Sequence, residues 1–198
     1  MALTPDEIAT RKAFREWTER SAKWNGYQIT TERFGTLMWQ DTWKGAVNVP
    51  LFASRFELSI DVYPKPELLS EDPPPPPGEW AIELWNEFCS DWGPSRRDEA
   101  IDALHSLLPA LAKPWLEHIT QEEFDDYGHD IVKHIQSRER FVETLCATEL
   151  GLNINQDYKW VDMWFETGFD PEHGLELGYV LGRPGLKATS GGDFHPSH

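Results

Sequence analysis

Asp170, Glu172 and His173 stand almost side by side in Phe169-Asp170-Pro171-Glu172-His173-Gly174-Leu175. Two carboxylates beside an imidazole are raw material for acid/base or metal chemistry, but either role needs a further group delivered from elsewhere in the fold. A second gathering, Asp125, Asp126, His129, Asp130 and His134, lies in a stretch with helical character. There Asp125 and His129, like Asp130 and His134, are four residues apart and share a helix face. The two histidines are five apart, so the His-x-x-x-His arrangement of a helical zinc site is missing, and solvated helix pairs are the better reading. His195 and His198 fall in a Gly/Ser-rich tail, where a flexible chain makes no defined metal site.

Most of the Asp170–Gly174 pattern is explained by turn chemistry. Asp accepts the amide two residues on, Pro pre-sets the next φ, and Gly tolerates a positive φ at the exit. A hairpin built on a type I turn with a Gly bulge needs little else. Glu172 and His173 at the tip are left over, and loop tips carry binding residues. The expected partner-binding set is therefore Asp170, Glu172 and His173 with Trp160 and Trp164 of the preceding strand, with no catalytic and no metal residues assigned. No Gly-x-Gly-x-x-Gly, Gly-Lys-Ser/Thr or Gly-x-Ser-x-Gly motif is present, so no cofactor is expected.

The positions around these residues belong to an acidic chain of 198 residues, with 34 acidic and 18 basic side chains and a net charge of −16. That field repels nucleic-acid phosphates and attracts basic proteins. Arg96-Arg97 is the longest purely basic run. Aromatics make up 13% of the chain, with 10 tryptophans, enough to stock both a core and a contact surface. Cys89 and Cys146, each read on a helix-like apolar face, offer neither a metal spacing nor a disulfide framework. No apolar run reaches the roughly 20 residues of a membrane span, and the start lacks a secretory pattern, so a cytoplasmic location is expected.

The elements follow from periodicity. Thr4-Pro5-Asp6-Glu7 opens a helix that closes near Asn25-Gly26. Phe34–Trp43 and Gly45–Phe52 read as strands, and Phe56, Leu58, Ile60 and Val62 alternate with polar residues until Pro64 and Pro66 stop them. Pro73 to Pro77 form a stiff, surface-exposed polyproline spacer. A helix from Glu79 to Asp91 carries the stripe Ala81, Trp85, Phe88 and Trp92, and Gly93-Pro94 ends it. Ser95 caps the next helix, which buries Ile101, Leu104, Leu108 and Leu111 and is expected to kink or end at Pro109. Thr120-Gln121-Glu122-Glu123 is a capping box for a helix to about Gln136, weakened at Gly128, and Ser137 caps a short helix after it. Alternation around Leu150–Ile154, Val161–Phe165 and Leu175–Leu181 then predicts a β meander.

These readings combine into an α+β fold: a mainly antiparallel sheet with helices packed on one face and an N-terminal helix strapped across it. Residues 1–26 form the helical arm, 27–186 a single α+β domain and 187–198 a disordered tail. The segment Trp43-Lys44-Gly45, the Pro-containing link, the aromatic helix of Trp80 to Trp92 and the ending Phe169 to Leu175 together resemble a family of small bacterial proteins of unknown function. That family is similar to the immunity-type proteins of toxin systems. The charge imbalance, the aromatic excess and the missing catalytic motifs point to a non-enzymatic interaction module, immunity-like by this resemblance, whose partner is a basic protein such as a toxin, with neither nucleic acid nor membrane involved. A metal-dependent or acid/base hydrolase using Glu172 and His173, and a self-associating structural subunit, are the alternatives.

Overall fold

Phe56, Leu58 and Ile60 alternate with polar neighbours, and in the computed structural model all three are fully buried on one side of a sheet. The structure describes residues 5–49, 54–61, 73–90, 94–167, 170–192 and 194–197. Thr4, Val62, Pro64, Pro66, Asp91, Trp92, Gly93, Phe169 and His198 lie outside the described residues, as do the side chains of Ser95, Asp170, Glu172 and His173.

Eight strands among the described residues make one sheet in chain order: β1 (Gln28–Thr31), β2 (Gly35–Trp39), β3 (Trp43–Val49), β4 (Ser54–Ile60), β5 (Cys146–Ile154), β6 (Lys159–Thr167), β7 (Asp170–Val180) and β8 (Lys187–Ser190). Every neighbouring pair is antiparallel except β4 and β5, which run parallel with Leu58 beside Leu150. A parallel pair needs a crossover. Here it contains the Pro run and the helices α2 (Glu79–Ser90), α3 (Pro94–His118), α4 (Gln121–Glu123), α5 (His129–Gln136) and α6 (Arg138–Thr144). The fold is α+β, with a mostly antiparallel sheet and an N-terminal helix, α1 (Pro5–Ser21).

The helices cover the inner face. Ala81, Leu84, Trp85 and Phe88 of α2 are buried, and the Phe88 ring meets Tyr179 of β7 at 5.8 Å. Leu37, Trp39, Trp43, Leu150, Leu152, Val161, Met163, Phe165, Leu175 and Leu177 complete the core with residues of α3. Trp39 and Trp43 pack edge to face at 5.3 Å, a geometry in which the positive ring edge meets the negative ring face. The Trp43 indole N–H donates to Pro75 O at 2.8 Å, which pins the polyproline stretch to the sheet while Pro73, Pro75 and Pro76 stay exposed.

Several expectations change. The sheet has an additional first strand, β1. The sequence placed one strand across Phe34–Trp43, but the chain turns at Asp41, whose φ is 62°. The α1 helix is tied down at its C-terminal end: Trp17 and Ser21 are buried, Trp39 Nε1 donates to Ser21 O at 3.2 Å, and Ser21 Oγ donates to Asp41 Oδ1 at 2.6 Å. Ile8 near the other end is 55% exposed, so the helix is not strapped across the sheet along its described length.

Helix α3 begins at Pro94, with Pro in the first turn where no N–H partner is needed. It also runs unbroken through Pro109 and Pro114. Both prolines are exposed, so water can satisfy the carbonyls they leave without a donor, while Leu104, Leu108 and Ala112 hold the helix to the core. The weakness foreseen at Gly128 takes the form of a π-helical turn over Phe124–Gly128, and the Phe124 ring lies where a Cβ on Gly128 would sit. The Thr120/Glu123 capping box and the Ser137 cap are both formed. Cys146 opens β5 and is exposed rather than lying on an apolar helix face.

The expected Asp170–Gly174 turn is the largest local difference. Thr167 pairs directly with Asp170, so the reversal falls before that stretch. Phe165 pairs with Leu175, which makes residues 171–174 a bulge in β7 opposite Glu166. Pro171 has no N–H for the ladder, and bulges accommodate such residues. Gly174 has φ 63°, and a Cβ there would lie 2.6 Å from Phe165 O, so both backbone conformation and space require glycine. Residues 187–190, expected in a disordered tail, also depart from expectation. Lys187–Ser190 extends the sheet as β8, with Leu177 opposite Ala188, because the edge of β7 gains a full ladder by accepting it.

Candidate functional site

Residues paired across strands point to the same side of a sheet, and those out of phase with the core define an outer face that carries no described helix. Lys44, Ala46, Glu57, Ser59, Glu149, Gly151, Asn153, Trp160, Asp162, Trp164, Glu176, Gly178 and Val180 follow this phase through the registers of β3 to β7. Trp160 and Trp164, two of the expected partner-binding residues, therefore flank Asp162 on one strand, and all three are half-buried. Asp170, Glu172 and His173 contribute backbone to the bulged start of β7, with their side chains outside the described residues.

Asp162 is the chemically unusual group of this face. Asn153 Nδ2 donates to its Oδ2 at 3.0 Å, and the Trp160 indole N–H donates to the same carboxylate. Those bonds favour ionisation. Burial opposes them more strongly, and the nearby Glu176 and Glu149 charges add to it, so the Asp162 carboxyl is pushed up to about 7. Gly151 makes room for it: a Cβ there would sit 2.1 Å from Asp162 Oδ1.

Glu176 on the next strand is only 3% exposed. Its Oε2 accepts the backbone N–H groups of Gly192 at 3.0 Å and Phe194 at 3.1 Å, and Thr189 Oγ1 approaches at 3.5 Å. Farther along the face, Lys44 Nζ lies 2.6 Å from Glu149 Oε1 and 3.8 Å from Glu57 Oε1. It borders a shallow groove of about 410 Å³ that Met38, Gln40, Ala46 and Glu57 also line.

Asp162 can hold a proton near neutrality, but Glu176 is already saturated by backbone donors. No group of three or more His, Cys, Asp or Glu side chains among the described residues could hold a metal. The helical cluster of the sequence does not assemble either. Asp130 pairs with Lys133 at 2.7 Å, Gln121 donates to Asp125 at 2.8 Å, and the π-helical turn separates the two halves.

Sequence reasoning missed Asp162, Glu176 and Asn153 because alternation marks such positions only as the wet side of a strand. A usable signal was present. Trp160, Asp162 and Trp164 share one phase, and two tryptophans on a supposedly solvated face call for a cover or a partner. No protein-family model, no curated protein and no solved structure matches the chain.

Proposed function

We propose that this chain is a non-enzymatic protein-interaction module, of the immunity-like kind, that binds a basic protein partner through the outer face of its sheet. The observation that carries the reading is the stripe Trp160-Asp162-Trp164 on the face that carries no described helix, with Glu57, Glu149 and Glu176 on neighbouring strands. Tryptophan beside carboxylate suits a Lys or Arg side chain, whose charge meets the carboxylate and whose stem or guanidinium packs on the ring. A net charge of −16 steers such a partner from a distance. Asp170, Glu172 and His173, at the start of β7, extend the proposed contact past the end of the stripe.

Calorimetric titration with a basic toxin-like protein encoded beside this one tests the reading, at low and high salt. Binding that weakens as salt rises, and that falls at least tenfold in the Trp160→Ala/Trp164→Ala double variant, is expected. A toxin neither bound nor neutralised would refute it.

A further inference from the structure

We propose that Gly191 and Gly192 with residues 194–197 form a displaceable strap that covers part of the outer face, hinged at Gly191-Gly192 and clamped by Glu176, Gly178 and Arg183. This rests on the proposed binding face for what the strap regulates, but the strap itself is independent of any partner.

Each clamp is specific. Beyond β8, Gly191 N still reaches Gly174 O at 3.3 Å, and Gly192 then adopts φ 83°, which turns the chain back over the sheet. Gly192 and Phe194 give their N–H groups to the one buried carboxylate oxygen of Glu176. The Phe194 ring lies against the bare Cα of Gly178, so close that a Cβ there would fall 1.9 Å from it. Arg183 Nη1 donates to Pro196 O at 2.7 Å and stacks its guanidinium over Tyr158 at 4.9 Å, and Pro196 is buried. Gly192 also approaches Trp164, so the strap crosses the stripe assigned to the partner. A cleft of about 100 Å³ beside it, lined by Val180, Arg183, Lys187, Phe194 and His195, leaves part of its inner edge open.

The closed strap works against the charge beneath it. Gly178 pairs with Asp162, so Phe194 sits beside a carboxyl already crowded by Glu176 on β7 and Glu149 on β5. Lys44 on β3 is engaged with Glu149 and Glu57, while Lys187 on β8, Arg183 and His195 border the strap. Ionising Asp162 under the strap costs more than ionising it in water, because burial and neighbouring carboxylates raise its proton affinity. Rising pH therefore favours opening, and the opening is local: it breaks the Gly192 and Phe194 N–H bonds to Glu176, the Arg183–Pro196 bond and the Phe194 ring contact while the β7–β8 ladder stays intact.

Residue-resolved amide exchange on the full chain, read as protection factors at pH 5.5 and pH 8, tests this. Protection at Gly192 and Phe194 should fall at least fivefold with pH and should at each pH lie well below that of Leu175 and Leu177, which open only with the whole sheet. Asp162→Asn should abolish the fall, and Phe194→Ala should remove strap protection at both pH values with the β7 amides unchanged. Strap amides as well protected as the sheet amides, or a pH-independent strap, would overturn the proposal. Titrating the Phe194→Ala variant with oligolysine separates the two ideas. An opened strap that binds oligolysine more tightly than the unaltered chain supports both, and an opened strap with no gain in binding counts against the proposed face alone.

Discussion

Replacing Asp162 by Asn should make the protein's stability less dependent on pH, and the size of the change follows from its surroundings. In the folded protein its carboxyl is pushed from the ordinary 3.8 up to about 7 by burial and by the Glu176 and Glu149 charges. Between those values the folded state keeps a proton that the unfolded chain has released. Unfolding free energy therefore falls as pH rises through this window, by about 1.4 kcal/mol per pH unit at most, and levels off above it. Over pH 5 to 8 this one group removes about 2–3 kcal/mol from the native protein, a loss the Asn variant does not suffer. Asn can still accept from Asn153 or Trp160 but not from both, a cost of about 1 kcal/mol that is the same at every pH.

Urea unfolding followed by tryptophan fluorescence at pH 5, 6.5 and 8 measures the difference, since all other titrating groups are common to both proteins. The variant should gain on the native protein steadily with pH, the gap in unfolding free energy widening by about 2–3 kcal/mol over the range. Parallel stability curves, within about 0.5 kcal/mol across the range, would refute the assignment of Asp162 as a buried, proton-holding carboxyl.

Gly151→Ala should destabilise the protein by about 1–3 kcal/mol, although Ala is usually the better strand residue, because its methyl would collide with Asp162 Oδ1; a melting curve unchanged or shifted upward would contradict the packing described. The two cysteines should react very differently with an aromatic disulfide reagent at pH 8. Cys146 is exposed and should label within the mixing phase, whereas burial pushes the Cys89 thiol up to about 11 and should delay it at least a hundredfold until denaturant is added.

Much of this architecture is written in local pattern. Alternation at Phe56–Ile60 and Val161–Phe165, the Ala81, Trp85 and Phe88 part of the α2 stripe and the Thr120/Glu123 capping box each depend on residues a few positions apart, and each of these is formed. Three differences come from interactions that local pattern does not contain. Pro109 and Pro114 stay within α3 because the rest of the helix is held by the core and both prolines lie on its exposed side. The reversal precedes Asp170 because pairing of Thr167 with Asp170 and of Phe165 with Leu175 moves the bulge into β7. A Gly/Ser/His-rich end extends the sheet because β7 offers an edge to Lys187–Ser190 and Glu176 accepts the Gly192 and Phe194 N–H groups.

The candidate site divides the same way. The amino-acid sequence alone determined the acidic field, the abundance of tryptophan, and the common phase of Trp160, Asp162 and Trp164, since charge and strand periodicity are properties of the chain. Only the tertiary structure decided that β4 and β5 run parallel, that Glu149, Asp162 and Glu176 share one face, and that the C-terminal residues lie over it. A strand's alternation says which side chains share a face but not which strand lies beside it or what covers it. Burial and neighbouring charge, which give Asp162 its proton and Glu176 its partners, exist only once those neighbours are in place.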